Sequence, residues 1–67
     1  MFTLKERLNR ELTYAKSIEE YDYAEDIQFI INVINGNVSQ GLLDQGINTA
    51  EDAANWVGIN LEGINHD

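Results

Sequence analysis

Glu19-Glu20-Tyr21-Asp22-Tyr23-Ala24-Glu25-Asp26 is the densest run of chemistry-bearing side chains in this sequence, with five carboxylates and two phenols in eight residues. Wound as a helix, it sets Glu19, Asp22 and Asp26 in one row with Glu25 beside it, and Phe29 and Val33 continue the row. Neighbouring members then lie roughly 5–6 Å apart, comparable to the phosphate spacing along a nucleic-acid strand. A row of anions ending in two apolar side chains fits a basic protein surface. The acids supply charge complementarity and association rate, and the apolar end supplies a desolvated anchor. The candidate partner-binding residues are therefore Glu19, Asp22, Glu25, Asp26, Phe29 and Val33. The competing reading has the acids merely favouring a helix N-terminus, with Phe29 and Val33 covered by another helix or a dimer mate.

Other chemistries find less support. The D-x-[DN]-x-[DN]-G loop of calcium sites is absent, and a helix spreads its carboxylates too widely for a tight oxygen cage. Acid-flanked tyrosines also fit a modification site, but no sign of secretion accompanies them. There is no cysteine and one histidine, His66, next to last in a polar tail, so no metal site or cofactor is expected. Ser17, Thr3 and Thr49 have better roles as helix caps than as nucleophiles, and the five glycines are isolated rather than gathered in a phosphate loop. No carboxylate pair adjoins an evident apolar pocket that would raise a pKa. No catalytic residue is assigned, and no enzyme is expected.

Charge narrows the partners. Lys5, Arg7, Arg10 and Lys16 are the only Lys and Arg residues. With Glu6 and Glu11 they give residues 1–16 a balance of 4 − 2 = +2. Residues 17–67 hold ten acids and no Lys or Arg, a balance of −10. Nucleic-acid affinity comes largely from Lys and Arg neutralising phosphates, so direct nucleic-acid binding is disfavoured. A basic protein is the natural partner, including one whose nucleic-acid groove this chain would occupy. The opening residues are too charged for a signal peptide and no apolar run approaches a membrane span. A cytoplasmic protein with no membrane partner is expected.

The elements that must position these residues read as helices. Thr3 with Glu6 forms a capping box for a helix over 3–16, striped by Leu4, Leu8, Leu12 and Ala15. Glu6/Arg10 and Arg7/Glu11 are i,i+4 pairs on it. Ser17 with Glu20 has capping-box spacing for a second helix over 18–35; alternatively the first two helices run together as one. Tyr23, Ala24, Ile27, Ile30, Ile31 and Ile34 make one broad apolar face. Gly36 suits the left-handed residue after that helix, and Asn37 can cap a short third helix over 38–45. Gly46-Ile47 looks like a glycine stop with an apolar residue folding back. Thr49 caps a fourth helix over 50–57, and Gly58-Ile59 repeats the stop. Gly-Ile-Asn recurs at 46–48, 58–60 and 63–65 with irregular spacing, which is reused stop chemistry rather than a solenoid repeat.

Leu42-Leu43-Asp44-Gln45-Gly46-Ile47-Asn48-Thr49-Ala50-Glu51-Asp52-Ala53-Ala54 resembles the step between two short helices in helix-hairpin-helix and sterile-alpha-motif-like domains. The resemblance covers about a fifth of the chain. It implies a helical fold, and in the DNA-binding members a second glycine hairpin with basic side chains. Here the segment Gly58-Ile59-Asn60-Leu61-Glu62-Gly63 carries an acid and no base. In style the chain resembles the small accessory proteins that bacteriophages and mobile elements direct against host machinery.

The reading as a whole is an all-α single domain over residues 1–67, a small bundle of three to four helices. The expected core is Leu4, Leu8, Leu12, Ile27, Ile30, Ile31, Ile34, Leu42, Leu43 and Trp56, with residues 59–67 either a last short turn or a mobile tail. A chain this short buries a modest core, so a homodimer interface or a partner is a natural source of further stability. The expected function is a non-enzymatic acidic binder of a basic protein, acting as an inhibitor or nucleic-acid mimic. A homo-oligomeric structural component, with charge serving solubility alone, is the alternative.

Overall fold

The computed structural model describes residues 2–64. They form four α-helices, α1 (Leu4–Ser17), α2 (Tyr21–Ile34), α3 (Gln40–Asp44) and α4 (Ala50–Val57), and one 3₁₀ turn (Leu61–Gly63), with no strand among them. The chain is thus a small all-α bundle. α1 and α4 both pack against α2.

α1 starts as its sequence dictates. The Thr3 hydroxyl accepts from the Glu6 N–H at 3.2 Å, and Glu6 Oε1 accepts from the Thr3 N–H at 3.2 Å. This closes the capping box. Glu6 is thereby turned back along the chain, and the Arg10 guanidinium lies 4.4 Å from the centre of the Phe2 ring.

The start of α2 corrects the expectation at Ser17. That residue belongs to the last turn of α1, where its hydroxyl donates to the Tyr14 carbonyl at 2.7 Å. The chain then breaks. Glu19 N–H donates to Lys16 O and Glu20 N–H donates to Ala15 O, the paired bonds of a Schellman stop, with Glu19 at φ 60°. α2 begins after Glu20, which makes no side-chain capping bond. The two helices are separate because this stop satisfies α1's last carbonyls inside residues 18–20.

The same stop closes each later helix around Gly36, Gly46 and Gly58, all at positive φ. Asn37 does not cap α3; Ser39 occupies that position, without a side-chain bond. Thr49 caps α4, its hydroxyl accepting from the Asp52 N–H at 3.1 Å.

The core joins Leu8, Leu12 and Ala15 of α1 to Ala24, Ile27, Ile30, Ile31 and Val33 of α2, and to Ala53 and Ala54 of α4. Leu4, Ile34 and Leu42 are half-buried against it. Two expected core residues lie outside. Leu43 is exposed, and Trp56 keeps 56% of its surface exposed. α4 turns its small residues inward instead, since Ala53 and Ala54 let its backbone approach α2 closely. Of the two readings of the last segment, residues 59–64 follow the short turn and not the mobile tail. Ile59 and Leu61 pack against the core, and Ile64 is among the most deeply buried side chains. Residues 65–67, including His66, lie outside the described residues.

Candidate functional site

The acidic run occupies the corner between α1 and α2 and the first turns of α2. Glu19, Glu20, Asp22 and Glu25 are exposed. Asp26 and Phe29 are half-buried, and Phe29 packs against the core. Val33 is 4% exposed and belongs to the core. It does not present itself to a partner, and it is withdrawn from the candidate site.

Helical geometry explains the division. Each residue advances about 100° around the axis. The row Asp22, Asp26, Phe29 and Val33 lies on the flank of α2, leaning towards the core at its far end. The centre of the solvent side, opposite Tyr23, Ile30 and Ile34, falls on Tyr21 and Glu25, with Gln28 and Asn32 in line with them. Gln28 donates to the Asn32 side chain at 3.0 Å along this line. The polar spacing i, i+4, i+7, i+11 of these four residues was the signal that could have located the face.

Tyr23 points the other way. Its hydroxyl donates to Glu11 Oε2 at 2.7 Å, pinning α2 to α1 across twelve residues of sequence. Glu11 is the one buried charged residue among those described. Burial first, and then the adjacent Glu11 carboxylate as bond acceptor and as charge, push the Tyr23 hydroxyl up to about 12 from its ordinary 10.0. This is an architectural bond: the phenol stays protonated and donates to a buried carboxylate, tying α2 to α1.

Sequence reasoning also missed the apolar component of the corner. Tyr14 is 58% exposed, Ile18 is 48% exposed and Tyr21 is 59% exposed. Ile18 was expected inside the second helix; the break after Ser17 places it at the end of α1 instead. Its N–H donates to Tyr14 O at 3.2 Å, so the two residues stand one helical turn apart.

Elsewhere, an open cleft of about 560 Å³ lies at the end of α4, lined by Glu51, Ala54, Asn55, Ile59, Asn60 and Glu62 among others. Glu51 and Glu62 are both exposed, and the cleft lining holds no His, Ser, Lys or Arg to act as base, nucleophile or anion clamp. Among the described residues no group of three or more His, Asp or Glu converges as a metal site. None of the described helices is long and apolar enough to cross a membrane.

No protein-family model, curated protein or solved structure matches this chain. The geometry of its own surface therefore carries the functional argument.

Proposed function

We propose that this protein acts by binding: the outer face of α2 docks on a basic surface of another protein. The observation that carries this reading is the exposure of Glu19, Asp22 and Glu25 together, in a stretch where no Lys or Arg follows Lys16. Carboxylates that outnumber the cations near them are available to a foreign one, and they accelerate encounter with a positively charged partner. Asp26 and the open side of Phe29 border the contact. The partner is a basic protein of the kind that binds nucleic acid, and this chain occupies its phosphate-binding surface as an inhibitor or mimic of the bacteriophage or mobile-element type. The reading requires no cofactor and no direct nucleic-acid contact, and it places the protein in the cytoplasm with its partner.

A structural homo-oligomer is the second reading, and the exposure of Trp56 and Leu43 favours it. Both surfaces lie outside the acidic face, so the two readings separate by mutation. Affinity capture from bacterial lysate should be compared between wild type, the pair Asp22→Lys/Glu25→Lys and the pair Glu51→Lys/Glu62→Lys. Both pairs change net charge equally. The first should lose the captured protein and the second should keep it. Equal loss from both would mean diffuse charge attraction and would overturn the docking face. A stable oligomer abolished by Trp56→Ala, with no protein captured, would favour the homo-oligomer.

A further inference from the structure

Three of the six exposed large hydrophobic side chains among the described residues, Tyr14, Ile18 and Tyr21, fall within eight residues at the α1–α2 corner. The helical turn between Tyr14 and Ile18 and the three-residue step to Tyr21 keep them close. Three residues of chain span at most about 11 Å. Glu19 and Glu20 lie inside this step, and Asp22 and Glu25 follow on α2. From Lys16 to Glu25 the exposed charges are one cation and four carboxylates, a balance of 1 − 4 = −3. Two phenol rings and an aliphatic side chain are thus set among anions at the N-terminal end of the acidic face, the end away from Phe29 and the buried Val33.

We infer that this corner is the anchor of the proposed docking face, and that its occupant is an arginine-bearing surface. The inference rests on the binding role proposed above. Arginine matches both parts of the corner. Its guanidinium forms bidentate bonds with carboxylates and stacks on aromatic faces, and its aliphatic stem lies along apolar surface. Lysine, a compact and strongly hydrated charge, uses the carboxylates but gains less from the rings. A second copy of this chain is disfavoured as occupant, because two such corners face to face would set Glu19, Glu20, Asp22 and Glu25 against their like charges. Aromatic rings spaced among anions are also what a single nucleic-acid strand presents to its protein, where bases stack and phosphates pair.

The test titrates labelled deca-arginine and deca-lysine peptides into the full chain at moderate salt. Wild type should bind the arginine peptide roughly three- to tenfold more tightly than the lysine peptide. Tyr14→Ala/Tyr21→Ala should remove that preference and leave the lysine affinity nearly unchanged. Tyr14→Leu/Tyr21→Leu keeps apolar bulk at both positions and should lose the preference too, which guards against a folding defect. Asp22→Lys/Glu25→Lys should weaken both peptides. If wild type shows no arginine preference, or the preference survives both tyrosine variants, the corner is not the anchor; the acidic docking face still stands provided the charge reversal weakens binding. If the charge reversal leaves both affinities intact, the docking face itself fails. A wild-type dimer in sedimentation that the tyrosine variants turn into a monomer would make a second copy the occupant and overturn the inference.

Discussion

Glu19 stands at φ 60°, in the left-handed region, at the stop position where the other three helices place Gly36, Gly46 and Gly58. A side chain there costs about 1–2 kcal/mol of backbone strain, while glycine would add entropy to the unfolded chain. Glu19→Gly should therefore raise stability by about 0.5–1 kcal/mol, the difference between those two effects. An unchanged or lower urea midpoint would show that Glu19 is held without strain. Tyr23 gives a second prediction at this scale. Replacing it with Phe removes the bond from the phenol to the buried Glu11 carboxylate, which should cost about 1–3 kcal/mol. The pH dependence has a definite sign. The Tyr23 hydroxyl ionises at about 12 in the fold, against 10.0 ordinarily. Its contribution is complete below pH 10 and is lost as pH rises from 10 to 12. Wild type should lose more stability than Tyr23→Phe between about pH 9 and pH 12. Parallel losses would mean that the phenol ionises alike in both states.

α2 is the element against which both α1 and α4 pack, so its inner face should be the most sensitive to truncation. Ile31→Ala should cost about 2–5 kcal/mol, enough to unfold much of so small a domain. Leu43→Ala and Trp56→Ala, at exposed positions, should shift the thermal midpoint far less. A midpoint indifferent to Ile31→Ala would place that residue outside the core. The same helix shows what was legible beforehand and why. Its Ile face and the Thr3–Glu6 capping box could be read directly, since both are set by local spacing. Ser17 misled because its capping spacing to Glu20 is equally compatible with α1 running one turn further; the stop at Glu19 decides, and nothing marks a glutamate for a left-handed position. Val33 misled because the flank of a helix and its outer face differ by less than one residue's rotation, and only the neighbouring helices define the boundary. Trp56 misled because size argues for burial, whereas close approach of α4 to α2 selects Ala53 and Ala54. Ile64 was missed because a short apolar residue beyond the last helix has no periodicity; only the 3₁₀ turn before it brings it back to the core. The acidic half of the candidate site was legible as composition. Its apolar half was not, because the exposure of Tyr14, Ile18 and Tyr21 follows from where the two helices break.

Across the whole molecule, the net charge of −8 and the +2/−10 division between the first sixteen residues and the rest govern behaviour in solution. A stability of about 3–10 kcal/mol is typical for a chain of this length, so self-repulsion of a few kcal/mol is a large fraction of it. Raising salt from low to moderate concentration should increase the thermal midpoint by screening that repulsion. A steady fall would show that attraction between α1 and the acidic remainder dominates. The central claim is one of place: a basic partner meets this protein on the outer face of α2 and the corner before it. Amide-resolved NMR during titration with the deca-arginine peptide tests it most directly. The account predicts the largest shift changes at Tyr14, Ile18, Glu19, Glu20, Tyr21, Asp22 and Glu25, with the α4 cleft near its free values. Changes centred on Glu51, Asn55 and Glu62, or spread evenly over every acidic segment, would contradict it.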